Sequence, residues 1–199
     1  MINESELEKI KEVAIKNRVP IIMDDTLKEI EAILRKEKPK RILEIGTAIG
    51  YSAIQFAKIA EEAIIDTIEI DVERAEEAKV NVEKTGVSDR VNIYVGNAVD
   101  LLPTLDYTYD IVFIDANKGK YPIFLEEAIR MTKKNSLIIA DNILYKGYTL
   151  SEYNKHKQRT AVNSLREYLK QAMINEDLET EIIEVGDGIA VTRVKKHTK

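Results

Sequence analysis

The chain has 199 residues, a formal net charge of −5 and no cysteine. This length predicts one domain with a full hydrophobic core. The lack of cysteine excludes disulfides, a thiolate nucleophile and a thiolate zinc site. Hydrophobic residues make up 44% and charged residues 33%, which is typical of a globular protein. The acidic balance disfavours wholesale nonspecific binding of nucleic acid, although it permits a local basic patch.

Neither a membrane span nor a signal peptide is expected from the sequence. No apolar run approaches the roughly 20 residues that cross a bilayer. The first residues, MINESELEKIKEV, are charged and lack the apolar centre of a signal peptide. We therefore expect a cytoplasmic protein without a membrane partner.

The first part of the chain alternates between helical and strand-like patterns. Two helical patterns come first, at residues 5–17 and 24–37, and Pro39 ends the second. Five short apolar runs follow, and helical patterns separate most of them. The predicted strands are 41–45, 64–70, 91–96, 110–115 and 136–141, and the predicted helices are 51–62, 72–85 and 121–133, with about two turns at most over 98–105. This alternation predicts a parallel sheet with helices on both faces.

The last part of the chain has a different pattern. A long helical stretch, 157–174, precedes two strand-like runs, 180–185 and 189–194, which a GDG turn joins at 186–188. Such a pair predicts an antiparallel hairpin. The chain as a whole, residues 1–199, is thus predicted to be a single α/β domain. Its sheet would have seven strands, mostly parallel, and would end in the antiparallel hairpin.

A glycine-bearing turn after the first predicted strand indicates a ligand site. Gly46 and Gly50 have the spacing G-x-x-x-G, which lacks the pyrophosphate fingerprint G-x-G-x-x-G of NAD sites. Glu69 ends the second strand, where a carboxylate can accept hydrogen bonds from both hydroxyls of a ribose. An adenosine-bearing ligand without a pyrophosphate suits S-adenosylmethionine. Glu44, inside the first strand, would meet the ammonium group of that ligand or pair with a nearby Arg or Lys. The turn alone would equally fit a plain tight turn.

A second group of polar residues follows the fourth and fifth predicted strands. Asp115 ends one strand, and Asp141 and Asn142 end the other. Carboxylate and amide oxygens that converge at one sheet edge are typical ligands of Mg²⁺ or a related cation. Each acid by itself would equally cap a following helix. Lys118, three residues after Asp115, could act as a base or remain a solvated loop cation.

Five motifs together resemble the cation-dependent, catechol-type O-methyltransferase family. They are LEIGTAIGYSA, IEID, FIDANKGKY, ADNILYKG and GDGIAVTR, and the resemblance covers roughly residues 20–195. It implies a Rossmann-like class I methyltransferase fold, S-adenosylmethionine as the cofactor, Mg²⁺ (or Mn²⁺ or Ca²⁺) as the metal, and a homodimer. Residues 1–38 would cap the site or form the dimer contact.

The resemblance also implies roles for individual residues. The metal ligands would be Asp115, Asp141 and Asn142, and the catalytic residues Lys118 and Asp115. The residues that contact the cofactor would be Ile22, Met23, Glu44, Gly46, Thr47, Gly50, Tyr51, Ser52, Glu69, Ile70, Asn97, Ala98 and Asp115. Either Ile22 or Met23 would cover the cofactor, and the sequence does not choose between them.

Within that family the chain looks most similar to bacterial tRNA 5-hydroxyuridine O-methyltransferases. A segment rich in basic and aromatic residues follows the predicted metal ligands, with six Lys or Arg against two Glu between positions 146 and 170. Its candidate RNA contacts are Tyr145, Lys146, Lys157 and Arg159, and Tyr148 and Tyr153 could also stack on a base. Two alternatives stay open: a methyltransferase of small catechol or caffeoyl-type phenols, and a non-catalytic module that binds the cofactor or RNA.

Overall fold

The structure is a computed structural model, and it describes residues 2–152 and 156–196. The chain divides into two compact units, residues 1–101 and 102–199. The prediction of a single domain over the whole chain stays a prediction. No helix in the described part of the chain is long and apolar enough to cross a membrane.

The first unit contains five helices and three parallel strands. In chain order these are α1 (Glu4–Asn17), α2 (Asp24–Glu37), β1 (Arg41–Ile45), α3 (Tyr51–Ile59), β2 (Ile64–Glu69), α4 (Val72–Thr85), β3 (Val91–Val95) and the short α5 (Ala98–Leu101). The strands lie in the order β3-β2-β1. Helices α3 and α4 pack on β2 and β3, and α1 packs on α3 and α4.

The second unit contains four strands and two long helices. They are β4 (Tyr109–Ile114), α6 (Tyr121–Arg130), β5 (Thr132–Ala140), α7 (Arg159–Ile174), β6 (Leu178–Ile183) and β7 (Ile189–Val194). The strand order is β4-β5-β7-β6, and β7 runs antiparallel to both of its neighbours. All seven strands belong to one mixed sheet, so the predicted fold class is confirmed.

Burial along β1 and β2 shows that this part of the sheet is covered on both faces. In β1 the residues from Ile42 to Ile45 are buried in succession, and so are those of β2 from Ile65 to Glu69. Since successive side chains point to opposite faces, continuous burial requires cover on both sides. The polar Asp66 is tolerated in β2 because Arg41 forms an ion pair with it at 2.7 Å and Asn92 donates to it at 2.8 Å.

Side-chain hydrogen bonds to the backbone define the ends of two helices. Asp71 begins α4, because its carboxylate accepts from the backbone N–H groups of Glu73 and Arg74. Helix α3 ends at Ile59, whereas the sequence pattern predicted residue 62. The guanidinium of Arg90 donates to the carbonyls of Ala57, Ala60 and Ala63, and so satisfies the end of the helix from a distant part of the chain.

The predicted boundary between α6 and β5 was wrong. The pattern predicted a helix to residue 133 and a strand from 136, but α6 ends at Arg130 and β5 begins at Thr132. Thr132 already pairs with Tyr109 of β4, and Asn135 then adopts a left-handed conformation with φ of 73°. Because the strand is irregular here, apolar periodicity did not predict its first half. Similarly, β6 spans Leu178–Ile183 instead of 180–185.

Candidate active site

Helix α4 packs against the turn after β1. Gly50 has φ of 83°, and a Cβ atom at this position would lie 3.2 Å from the Cβ of Ala78. Asn81 donates its side-chain N–H to the carbonyl of Ile49 at 2.9 Å. Close packing against α4, together with the left-handed backbone, therefore explains why the second glycine of the motif is needed.

Glu69 binds a backbone N–H group with each carboxylate oxygen, one in the turn after β1 and one after β2. Oε2 accepts the N–H of Ala48 at 2.7 Å, and Oε1 accepts the N–H of Asp71 at 2.9 Å. Its carbonyl accepts the N–H of Gly96 at 2.8 Å, which ties the end of β3 to the end of β2. An ionised carboxylate offers about four lone-pair sites, so two backbone donors leave capacity for the hydroxyls of a ribose.

Glu44 lies beneath the turn and is fully buried. It pairs in register with Thr67 on β2, whose hydroxyl donates to Glu44 Oε2 at 2.5 Å. The hydroxyls of Thr67 and Thr47 lie 2.6 Å apart. A chain of hydroxyl groups therefore runs from the buried carboxylate to the turn. Thr67 was missed in the sequence, where the only signal was a polar residue inside a buried strand.

The other predicted cofactor residues in the first unit occupy varied environments. Tyr51 is buried, and its hydroxyl accepts from Gln55 at 3.0 Å; Ser52 lies in the first turn of α3. Asn97 caps α5 by accepting the N–H of Val99, and Ala98 is the buried first residue of that helix.

Hydrophobic candidates for cofactor contacts differ sharply in exposure. Ile22 is buried, whereas Met23 is 44% and Ile70 66% exposed. Contact of all these residues with a cofactor stays a prediction.

In the second unit, the ends of β4 and β5 are fastened together. The N–H of Asp141 donates to the carbonyl of Ile114 at 2.9 Å. The buried hydroxyl of Tyr121 donates to the carbonyl of Asp141 at 2.9 Å and lies 3.3 Å from that of Ile114. Tyr121 was missed as a site residue, although it ends the DANKGKY motif. These bonds fix where Asp115 and Asp141 leave the sheet.

The two aspartates have unfavourable surroundings for ionisation. Burial, together with the neighbouring charges of Asp115 and Asp187, raises the pKa of Asp141 to about 7, although the N–H of Asn142 and the cation of Lys118 partly oppose the rise. Burial also raises the pKa of Asp115, which the cation of Lys118 partly opposes. Because Asp115 and Asp141 repel each other, a positive charge between them would stabilise both carboxylates.

Lys118 occupies a position between aromatic rings and the predicted amide ligand. Its Nζ donates to Asn142 Oδ1 at 2.9 Å. The same nitrogen lies 6.0 Å from the ring centre of Tyr121 and 5.9 Å from that of Tyr145, within the range of cation–π attraction. The predicted catalytic lysine and the predicted metal ligand Asn142 are thus brought together.

The donor set fits a hard divalent cation. It consists of the carboxylates of Asp115 and Asp141 and the amide oxygen of Asn142, which are the ligand types that Mg²⁺, Mn²⁺ and Ca²⁺ accept. Within residues 2–152 and 156–196, no three Asp, Glu, His or Cys side chains form a metal-binding group. The third protein ligand would therefore have to be the amide oxygen.

The loop after β5, residues 142–149, is supported by the β6–β7 turn. Asn142, Tyr145 and Lys146 all have positive φ angles. Asp187 accepts the N–H of Leu144 at its carbonyl and the N–H of Lys146 at its carboxylate, at 3.0 and 2.6 Å. The GDG motif, which predicted only a hairpin turn, thus also shapes the loop that carries Asn142.

Only part of the basic segment with the predicted RNA contacts is available for binding RNA. Lys146, Lys157 and Arg159 are exposed. Arg166, however, donates to the carbonyls of Tyr148, Thr149 and Ser151, so it clamps the loop. The ring of Tyr145 packs edge-on against Tyr148 at 6.0 Å. Two further members of the segment, Tyr153 and Lys155, lie outside the described residues.

Substitution of Gly188 should disturb the loop more than substitution of Gly147. Both glycines have similar φ angles, 79° and 76°, but a Cβ at Gly188 would lie 2.3 Å from Cγ of Leu144, whereas nothing lies within 4 Å at Gly147. We expect Gly147→Ala to cost about 1 kcal/mol of unfolding free energy and Gly188→Ala about 2–4 kcal/mol in urea denaturation. Adding Leu144→Ala to Gly188→Ala should recover part of the loss. Equal losses in the two single variants would contradict this packing.

Ionisation of Asp141 should lower stability as the pH rises. Its pKa in the folded protein, about 7, lies above the usual 3.8. Between these pH values the folded state binds more protons than the unfolded state, so the folded state loses stability as the pH rises through this range. We expect Asp141→Asn to be more stable than the unaltered protein at pH 8 by about 1–3 kcal/mol, and the difference to vanish near pH 4. Urea denaturation at several pH values measures it, with the exposed Asp106→Asn as control. A difference that does not change with pH would refute the assignment.

Known proteins share this sequence and fold. The sequence profile of the O-methyltransferase family matches residues 3–195. A catechol O-methyltransferase of Mycobacterium tuberculosis is 41% identical over 115 residues, which cover 57% of this chain and 52% of that protein. The chain thus spans about half the length of that relative. A catechol O-methyltransferase of Niastella koreensis is 33% identical over 166 residues, which cover 78% and 74% of the two chains.

A solved structure shows the same arrangement of the backbone. The O-methyltransferase TomG of Streptomyces achromogenes, involved in tomaymycin synthesis and crystallised with SAM, matches with a TM-score of 0.87 and 26% identity over 98% of this chain and 92% of that one. The family profile and the Niastella koreensis relative each cover more than two thirds of this chain. The chain therefore belongs to the O-methyltransferase family.

Proposed function

We propose that the protein is an S-adenosylmethionine-dependent O-methyltransferase that uses a divalent cation and methylates one of two neighbouring oxygens on its acceptor. The observation that carries this proposal is the mutual repulsion of the half-buried Asp115 and the buried Asp141, which lie beside an amide oxygen and a lysine. The family, and the SAM complex of its member TomG, support the choice of cofactor.

The residues that would hold the cation are Asp115, Asp141 and Asn142. When bound, a divalent cation lowers the pKa of a hydroxyl group on the acceptor and orients its lone pair. The protein's contribution is to keep the two carboxylates at fixed positions. The bonds from Tyr121 and from the backbone of Asp141 serve this purpose.

Lys118 would act on the oxygen that is methylated. Its Nζ already lies within hydrogen-bonding distance of Asn142 Oδ1, beside the rings of Tyr121 and Tyr145. From that position it would accept the proton of the acceptor hydroxyl or stabilise the resulting oxyanion. No covalent enzyme intermediate is needed, so catalysis would consist mainly of positioning and charge stabilisation.

The first unit would hold S-adenosylmethionine, which supplies the methyl group on its sulfonium. Glu69 would accept hydrogen bonds from the ribose hydroxyls while it keeps its bond to Ala48. The first N–H groups of α3, at Tyr51 and Ser52, are unsatisfied within the helix and would receive the carboxylate of the cofactor. Ala98, at the start of α5, would contact the adenine.

We favour 5-hydroxyuridine in tRNA as the acceptor, because its 5-hydroxyl and 4-carbonyl form a chelating pair. The exposed cations Lys146, Lys157 and Arg159 support this choice, since RNA binding depends on neutralising phosphates. The resemblance of this segment to tRNA methyltransferases, which motivates the same choice, stays a prediction from the sequence.

A small catechol is the second candidate acceptor. The two relatives described above are catechol O-methyltransferases. Tyr145 and Tyr148 pack edge-on, and their rings would provide aromatic contacts for a planar phenol. Both candidates share the pair of neighbouring oxygens, so the proposed chemistry does not depend on the choice between them.

Removal of Asp141 should separate catalysis from cofactor binding. We expect Asp141→Ala to lower methyl transfer by about a thousandfold or more, because it removes a predicted metal ligand. Binding of S-adenosylhomocysteine, measured by calorimetry, should stay within about twofold. Asp106→Ala, an exposed acid at the opposite end of β4, is the control. Methyl transfer at an unaltered rate by Asp141→Ala, or after chelation of metal, would refute cation dependence. An unaltered protein that binds cofactor but methylates neither acceptor would favour the non-catalytic module.

Removal of two exposed cations of the basic segment should distinguish the two candidate acceptors. We expect Lys157→Ala/Arg159→Ala to weaken the methylation of hydroxyuridine-containing tRNA and to reduce the slope of log affinity against log salt by about 1–2. Turnover of a catechol should not change. Methylation of the catechol alone by the unaltered protein would refute tRNA as the substrate.

A further inference from the structure

A buried carboxylate and two hydroxyl groups lie directly beneath the predicted cofactor turn. Glu44 and Thr67 are fully buried, and Thr47 is 1% exposed. Glu44 and Thr67 are register partners on the parallel strands β1 and β2, so their side chains share one face of the sheet. Thr47 follows Gly46 in the turn, and the N–H groups of both residues donate to the carbonyl of Ile68.

For an ionised Glu44, the directions of the hydrogen bonds follow from its charge. A carboxylate only accepts, so the single proton of the Thr67 hydroxyl is used in the bond to Glu44 Oε2, at 2.5 Å. Thr67 must then accept from Thr47, whose hydroxyl lies 2.6 Å away. An ionised Glu44 would therefore orient the hydroxyl of a turn residue, and the two threonines would in return stabilise the charge.

We propose that Thr67 is a positioning residue: it keeps Glu44 ionised beneath the turn, and the buried charge favours the cationic amino-acid end of the cofactor. This inference rests on the proposed binding of S-adenosylmethionine. The physical reason is that a negative charge acts more strongly through a protein interior than through water. Removal of a hydrogen bond to the charged form of a buried carboxyl group favours its neutral form.

The test compares two thioether ligands. Only one of them carries the amino-acid part on which the charge of Glu44 would act. S-adenosylhomocysteine carries the adenosine and the ammonium group, whereas 5′-methylthioadenosine carries the adenosine and the sulfur but no amino-acid part. We expect Thr67→Val to weaken S-adenosylhomocysteine about tenfold or more in calorimetry, since hydrogen bonds to charged groups are among the stronger ones. Binding of 5′-methylthioadenosine should stay within about twofold. Thr67→Ser, which keeps the hydroxyl, should bind both ligands like the unaltered protein.

Two further variants make the outcome decisive. Glu44→Gln should reproduce the selective loss, so the inference can be tested even if Thr67→Val does not fold. Glu69→Gln, at the predicted ribose contact, should weaken both ligands and so shows what a non-selective loss looks like. Equal weakening of both ligands by Thr67→Val and Glu44→Gln, or no weakening, would overturn the inference and leave only a structural role. Failure of the unaltered protein to bind either ligand would instead refute the proposed cofactor.

Discussion

The repulsion between Asp115 and Asp141 is the interaction on which the rest of this site depends. Both side chains follow parallel strands that end at the same edge, and burial makes their charges costly. The fold holds them in place nevertheless: the Tyr121 hydroxyl and the N–H of Asp141 hold the two strand ends together. Such an arrangement opposes stability when both carboxylates are ionised, and the proposed cation would offset this cost.

Several residues of the candidate sites support the backbone as well as the proposed chemistry. Glu69 accepts two backbone N–H groups, one of them in the turn after β1, before any ribose is considered. Asp187 holds the loop of Asn142 through Leu144 and Lys146. Loss of activity on substitution of these residues would therefore not by itself reveal a contact with a ligand. For this reason the informative experiments compare two ligands, or two variants, that a purely structural defect would affect equally.

The sequence was sufficient to predict the strands and most helices, because their apolar periodicity reflects burial on a two-sided sheet. It was insufficient where a distant residue or an irregular backbone decides the local structure. Arg90 ends α3 from outside that helix, and the left-handed Asn135 interrupts the apolar pattern within β5. In the same way, the position of acids at strand ends predicted that Asp115 and Asp141 lie near each other, and the charge of Asp115 raises the pKa of Asp141. The contributions of Thr67 and Tyr121 required the three-dimensional structure, since a single polar residue in a buried segment does not identify its partner.

The basic segment after β5 shows why counting charges overstates a nucleic-acid site. Arg166 belongs to that segment, but it donates to three carbonyls of the loop at residues 148–151 and stabilises the loop that follows Asn142. A guanidinium engaged in this way would lose those bonds if it moved to a phosphate, and the loop would lose its support. Among the candidate contacts in the described part of the chain, the exposed Lys146, Lys157 and Arg159 would remain for RNA. Three phosphate contacts would make a modest electrostatic contribution to affinity, and selectivity would then come from the chelating pair of oxygens and from stacking on the tyrosine rings.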